Sequence, residues 1–293
     1  MRIKGPIHMI EMENNIIGIV CYGHIKFFYF QNRLLNIYKK YLYQFNWIDL
    51  EYDKEKIKKG PYSAYKVDFL YQIYGPGTLD RIIYFDKKDI DYETYKMLDK
   101  LEYTLFLDLE MSMPGYQFKG REYESEIIQV GFELYRGDNL ITDYTSYIYP
   151  TVNQDISVRT LKFLNITKEL LYNTGVSYKE FYNVFSTLVK KYKPAIIIYG
   201  KNDKLILDKS FVINKVEPLK LRYINLLNLI KTFYNLKNDP GLFKLYETYS
   251  EGYEVQLHDA LDDSHTTKLL FDAFKKDMLD YRHYNEIREK FIL

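Results

Sequence analysis

The stretch Leu105-Phe106-Leu107-Asp108-Leu109-Glu110 decides the reading of this 293-residue chain. It closes an apolar run over residues 103–109, whose length and composition predict a buried strand. Residues i and i+2 of a strand project to the same face, so Asp108 and Glu110 point together at the strand end. Two converging carboxylates repel unless something positive lies between them. A hard divalent cation such as Mg²⁺ suits oxygen donors of this kind. Taken alone, the pair reads equally well as two solvated carboxylates on an edge strand.

Further along the chain, other acids join them. A second apolar run, residues 195–199, follows Pro194 and leads through Gly200-Lys201-Asn202 into Asp203, where a strand turns into a helix. By itself Asp203 reads as a helix N-cap. The third cluster is His258-Asp259-Ala260-Leu261-Asp262-Asp263, just ahead of an amphipathic helix expected from Ser264, with Leu270, Phe271, Phe274 and Met278 on one stripe. Five residues on one regular helix would separate His258 and Asp263 by about 140°. His258 is therefore expected on the incoming loop, with Asp263 starting the helix. Asp262 reads as a solvent-facing acid, His265 as a surface histidine, and the alternating Glu122, Glu124 and Glu126 as a solvated edge.

Together, Asp108-Leu109-Glu110, then Tyr199-Gly200-Lys201-Asn202-Asp203 with Leu207, then His258, Ala260 and Asp263 resemble the three motifs of the DEDDh family of 3′-to-5′ exonucleases. The match spans roughly residues 101–280. The Gly-x-x-Asp-x-x-x-Leu form of the middle motif is similar to the RNA-trimming branch, although that branch usually has Trp where this chain has Tyr199. The resemblance implies a ribonuclease H-like mixed α/β sheet flanked by helices. It also implies that Asp108, Glu110, Asp203 and Asp263 hold two Mg²⁺ or Mn²⁺ ions about 4 Å apart, one activating water and one stabilising the leaving 3′ oxygen. His258 would be the general base, a task suited to a side chain titrating near neutral pH. Met111 and Ser112 would lie against the terminal nucleotide.

Other periodicities fill in the frame. Strands are expected at 126–135, 144–149 and 221–225, and helices at 160–172 and 177–192, the latter opened by a Ser177/Glu180 capping box. Before residue 95 the chain reads as short β segments at 16–22, 24–30, 47–52 and 65–74, with a helix or loop at 33–43 and turn signals at Gly23, Gly60-Pro61 and Gly75-Pro76-Gly77. The charged stretch 86–99 is expected to lead from a first domain, 1–95, to a second, 100–293. The first resembles an OB-type or cold-shock-like barrel. Phe27, Phe28, Tyr29 and Phe30 put two rings on each strand face, so one pair can be core while the other stacks on bases. Phe28 and Phe30, with Lys26 near phosphates, are the expected contacts; all four rings packing inside is the equal alternative.

Composition excludes several classes. Hydrophobic residues make up 47% and charged residues 28%, a globular rather than disordered balance. No apolar run approaches the roughly 20 residues needed to span a bilayer, and Met1-Arg2-Ile3-Lys4-Gly5-Pro6 lacks the core of a signal peptide, so a cytoplasmic location and no membrane partner are expected. The single cysteine, Cys21, cannot form an internal disulfide or a thiolate zinc site. A net charge of +1 leaves room for a local basic patch. The expected activity is exonucleolytic hydrolysis of single-stranded nucleic acid, RNA favoured, to nucleoside 5′-monophosphates. A DNA exonuclease and a non-catalytic nucleic-acid-binding protein are the alternatives.

Overall fold

The computed structural model describes residues 1–77, 82–120, 122–153, 155–250 and 259–291. The chain divides into two compact units, Met1–Thr94 and Tyr95–Leu293. The first is built from β1 (Arg2–Glu11), β2 (Ile16–Cys21), β3 (His24–Tyr29), α1 (Asn32–Tyr38), β4 (Trp47–Lys59), β5 (Tyr62–Tyr74) and β6 (Ile83–Asp86). Strand β1 pairs antiparallel with both β2 and β4, β2 with β3, and β4 with β5. A parallel contact of β3 with β5, Phe28 opposite Tyr65, closes these five strands into a small barrel. Strand β6 adds to β5 beside it.

Turn chemistry sets the register. Tyr22 and Gly23 both take positive φ, 48° and 78°, the two-residue geometry that matches the twist of a tight hairpin between β2 and β3. Inside, Ile3, Ile7, Ile17, Ile19, Phe28, Phe30, Leu50, Val67, Leu70 and Ile73 form one core. Two strands were not expected from sequence: β1 carries Gly5-Pro6, which argues against a strand interior, and β6 is only four residues long. The charged stretch after residue 86 is α2 (Lys87–Asp99), a helix rather than a linker.

The second unit has β7 (Tyr103–Met111), β8 (Ile127–Arg136), β9 (Asn139–Tyr147), α3 (Val158–Phe163), α4 (Lys168–Thr174), α5 (Tyr178–Tyr192), β10 (Ala195–Ile198), α6 (Asn202–Ile213), β11 (Arg222–Asn225), α7 (Leu226–Tyr234), α8 (Leu242–Tyr246), α9 (Ala260–Asp280) and α10 (Tyr284–Phe291). Its sheet runs β11-β10-β7-β8-β9. The β7-β8-β9 meander is antiparallel, while β10 and β11 are parallel to β7. Helices cover both faces, so β8 is buried along nearly its whole length. Leu105, Leu107, Val130, Phe132 and Leu134 pack with Phe181 and Phe185 of α5; Phe106, Tyr135 and Ile197 pack with Ile230 of α7 and Leu270, Phe271 and Phe274 of α9. The capping box forms as expected, with Ser177 and Glu180 satisfying each other's backbone N–H. Among the described residues, no helix is long and apolar enough to cross a membrane.

Candidate active site

Alternation along β7 places Asp108 and Glu110 on the face that Phe106 shares with α9. Helix α9 begins over the same strand end. Its N-cap is Asp259, whose carboxylate accepts from the Leu261 and Asp262 backbone N–H groups. One turn later comes Asp263. Ligand oxygens of Asp108, Glu110 and Asp263 all lie within 4.8 Å of one another.

A single glycine makes that approach possible. Gly131 of β8 stands opposite Asp108, and a Cβ built there would fall 2.1 Å from the Ala260 carbonyl carbon and 2.2 Å from the Leu261 nitrogen. Any side chain at this position would push the first turn of α9 off the sheet. Beside it Gln129, opposite Glu110, donates its amide N–H to Asp259 at 2.7 Å and fixes the helix start sideways. The fourth carboxylate, Asp203, lies in the first turn of α6 behind the N-cap Lys201, and is not itself the cap. Its Oδ1 accepts the Leu109 N–H at 3.2 Å, which ties α6 to β7 midway between Asp108 and Glu110.

Charge dominates this cluster. Asp203 and Asp263 are only 6% and 5% exposed, so their negative charge is poorly solvated. Burial first, then the charges of Asp203, Asp263, Glu110 and Asp259, push the Asp108 carboxyl well above its ordinary range. Burial first, then the charges of Asp263, Asp203 and Asp259, raise Glu110 to about 8. Burial also carries Asp203 up to about 7, against the opposing pull of N–H groups from its own backbone and Leu109. Groups that repel in this way are ionised together only when a cation shares them. The donors here are all carboxylate oxygens, which fits a hard divalent metal such as Mg²⁺ or Mn²⁺.

No family model matches the chain. A probable 3′-5′ exonuclease of Bacillus subtilis (strain 168), KapD, is 26% identical over 174 residues, 59% of this chain and 84% of that protein. Among solved structures, the nuclease domain of 3′hExo, described as a DEDDh family member bound to rAMP, matches with a TM-score of 0.51 and 18% identity over 62% of this chain and 94% of that one. A 3′-exonuclease solved for recognition of a histone mRNA stem-loop matches with a TM-score of 0.50 and 15% identity, over 69% and 72%. The second unit shares the fold of these nuclease domains.

Within that fold, the remaining expected site residues separate clearly. His258 lies outside the described residues. Met111 is half-buried against the core, and Ser112 is buried with its hydroxyl accepting the Glu126 N–H at 2.9 Å, so that side chain pins a strand end. Phe28 and Phe30 are both fully buried, which rules them out as stacking platforms. The alternation was read correctly but assigned to the wrong side: closure of the barrel turns Phe28 and Phe30 inward and leaves Phe27 and Tyr29 half-buried on the other face. Phe27 meets Tyr62 with ring centres 5.1 Å apart, and the Lys59 ammonium sits 4.4 Å from the Tyr29 ring centre. Lys26 is half-buried at the start of β3.

Two further residues differ from the sequence reading. Asp259 carried no assigned role, yet it caps α9 and its charge reaches both Asp108 and Glu110. A carboxylate directly ahead of an amphipathic helix was the available signal. Glu126, expected on a solvated edge, is buried. It accepts N–H groups of Val152 and Asn153 at 2.8 and 2.7 Å, the Thr151 N–H, the Thr151 hydroxyl and the Asn153 amide. Glu122 and Glu124 stay closer to solvent, and Glu124 pairs with Lys209.

Proposed function

We propose that the chain is a metal-dependent 3′-5′ exonuclease that hydrolyses single-stranded nucleic acid, RNA preferentially, to nucleoside 5′-monophosphates. One observation carries the reading: carboxylates from β7 and α9, with Asp203 of α6 beside them, converge at the end of one strand in a fold shared with such enzymes. Asp108, Glu110, Asp203 and Asp263 would hold two Mg²⁺ or Mn²⁺ ions. Bound there, the ions supply Lewis acidity to a phosphodiester and to the water that attacks it. The protein's part is to hold the four carboxylates rigidly, through the strand pairing of β7, the Leu109-to-Asp203 bond and the Asp259 cap, so that no reorganisation is needed during reaction. His258, from its place in the third motif, is assigned as the base that takes the proton of the attacking water. The name of KapD supports the polarity. The Gly200-x-x-Asp203-x-x-x-Leu207 motif, which resembles the RNA-trimming branch, favours RNA over DNA.

The barrel, residues 1–95, would serve as a single-strand holder. Its accessible rings are Phe27, Tyr29 and Tyr62, with Lys59 and Lys26 for phosphates; base stacking on rings of this kind contributes about 1–3 kcal/mol per base. Digestion of matched 5′-labelled RNA and DNA strands with Mg²⁺, Mn²⁺ or chelator tests the whole reading. A ladder shortening from the 3′ end, faster on RNA and abolished by chelator, is expected. Shortening from the 5′ end, or no digestion with either metal, would refute it, and faster DNA digestion would reverse the sugar assignment. The His258→Ala variant should slow hydrolysis at least a hundredfold while still binding Mn²⁺.

A further inference from the structure

The rim of the nuclease sheet at the starts of β10 and β11, opposite the strand end that carries the carboxylates, holds a cavity of about 550 Å³ lined by Lys190, Lys193, Lys220 and Arg222 against one acid, Glu217. All four cations are exposed. Among the described residues they form no ion pair, whereas Lys168, Lys204, Lys209 and Lys231 each meet an aspartate or glutamate. In a chain whose net charge is +1, this is a local concentration that composition does not reveal. Helix chemistry explains part of it, because Lys190 and Lys193 sit at the C-terminal end of α5, where cations complement the helix dipole. It does not explain Lys220 and Arg222, which come from the segment entering β11, away from any helix end.

Aromatic rings continue the same rim. Tyr192, next to Lys193, packs on Tyr103 at 5.2 Å between centres, and the Arg136 guanidinium lies 5.7 Å from the Tyr103 ring centre, with Glu102 as its ion-pair partner. Tyr103 starts β7, five residues before Asp108, which at about 3.3 Å per residue puts its backbone roughly 17 Å from that of Asp108, with the starts of β10 and β11 one and two strands further across the sheet.

We infer that this cationic edge is an exosite for the phosphodiester backbone of a nucleic-acid strand, engaging phosphates 5′ of the nucleotide held at the carboxylates. The assignment rests on the exonuclease reading for its direction along the strand, but the binding itself does not require turnover. Phosphates match unpaired cations without sequence preference, and interleaved tyrosines tolerate any base. A dinucleotide at the carboxylates is too short to reach the edge.

The test uses the full chain and a fluorescent 30-nucleotide single strand in chelator, with affinity measured by anisotropy against KCl concentration. The K220Q/R222Q variant should lose about tenfold in affinity, and its log–log salt slope should shrink by about 1.4, two contacts at about 0.7 each. The charge-retaining K220R/R222K variant should match the unmodified chain, and hydrolysis of a dinucleotide should stay within twofold in both. Unchanged affinity and slope in K220Q/R222Q would overturn the inference. So would an equal loss in K220R/R222K, an equal loss on the dinucleotide, or a loss confined to binding of poly-glutamate, which would give the edge to acidic polypeptide. An unmodified chain that digests no strand would sink the nuclease reading, while the salt slopes would still decide the exosite.

Discussion

At the scale of single residues, the chemistry is held by charge placed where water is scarce. Asp108 and Asp263 sit in one cluster, and neither can be replaced by an amide without removing a negative donor from it. Asp108→Asn and Asp263→Asn should each lower turnover by about a thousandfold or more, near 4 kcal/mol of barrier, with thermal melting unchanged or raised. Removing one of several repelling carboxylates relieves the metal-free protein, which raises its melting temperature. Melting scans paired with exonuclease assays would check both halves; loss of folding in either variant would contradict the account. Glu126 behaves in the opposite way. Burial alone would raise its carboxyl, but the N–H groups of Asn153, Val152 and Thr151 and the Thr151 hydroxyl outweigh it and hold it below its ordinary value. A carboxyl lowered on folding contributes stability that is complete above its unfolded pKa, near 4.5, and is lost as pH falls through the folded value. Glu126→Gln should therefore cost roughly 3 kcal/mol at pH 7 and much less in acid, measured by urea unfolding across pH. A penalty that is the same at pH 3 and pH 7 would count against the ionised cradle.

At the scale of elements, close approach decides what reaches the site. Helix α9 delivers Asp259 and Asp263 only because Gly131 leaves its first turn room against β8. Gly131→Ala should destabilise the second unit by about 1–3 kcal/mol and should lower activity more than that loss of folding accounts for, because the carboxylates separate. Activity measured well below the melting temperature separates the two effects. In the barrel, Phe28→Ala opens a cavity among Tyr52, Tyr65 and the aliphatic core and should cost about 3–5 kcal/mol. Most strands and the Ser177 capping box were legible in sequence because period and cap chemistry are local. Strand β1 and helix α2 were not: Gly5-Pro6 masks the first, and the dense charge of residues 86–99 masks the second.

At the scale of the molecule, two units carry separate cores and, in the function proposed, separate tasks. Replacing the outward rings, F27A/Y29A/Y62A, should weaken binding of a long single strand about tenfold or more while leaving dinucleotide hydrolysis within twofold. Titration of both substrates in one preparation checks this, and equal loss on both would assign those rings to structure. Most of the candidate site was written in the chain before any fold was known. Asp108, Glu110, Asp203 and Asp263 were named as a set from the resemblance of three motifs to one family, and three of them share one cluster.

What the sequence alone determined is therefore local chemistry: which residues are acids, which segments are strands or helices, and that Asp108 and Glu110 share a face. Period-2 alternation defines two faces but carries no information about which one is inside. The parallel contact of β3 with β5 chose Phe28 and Phe30 for the barrel interior. The same limit hid Glu126, because its five donors come from a loop 25 residues downstream, and it hid the cationic edge, because α5 and the entry to β11 meet only after the sheet has formed. Burial and electrostatic potential depend on neighbours in space, and the chain acquires those neighbours only on folding.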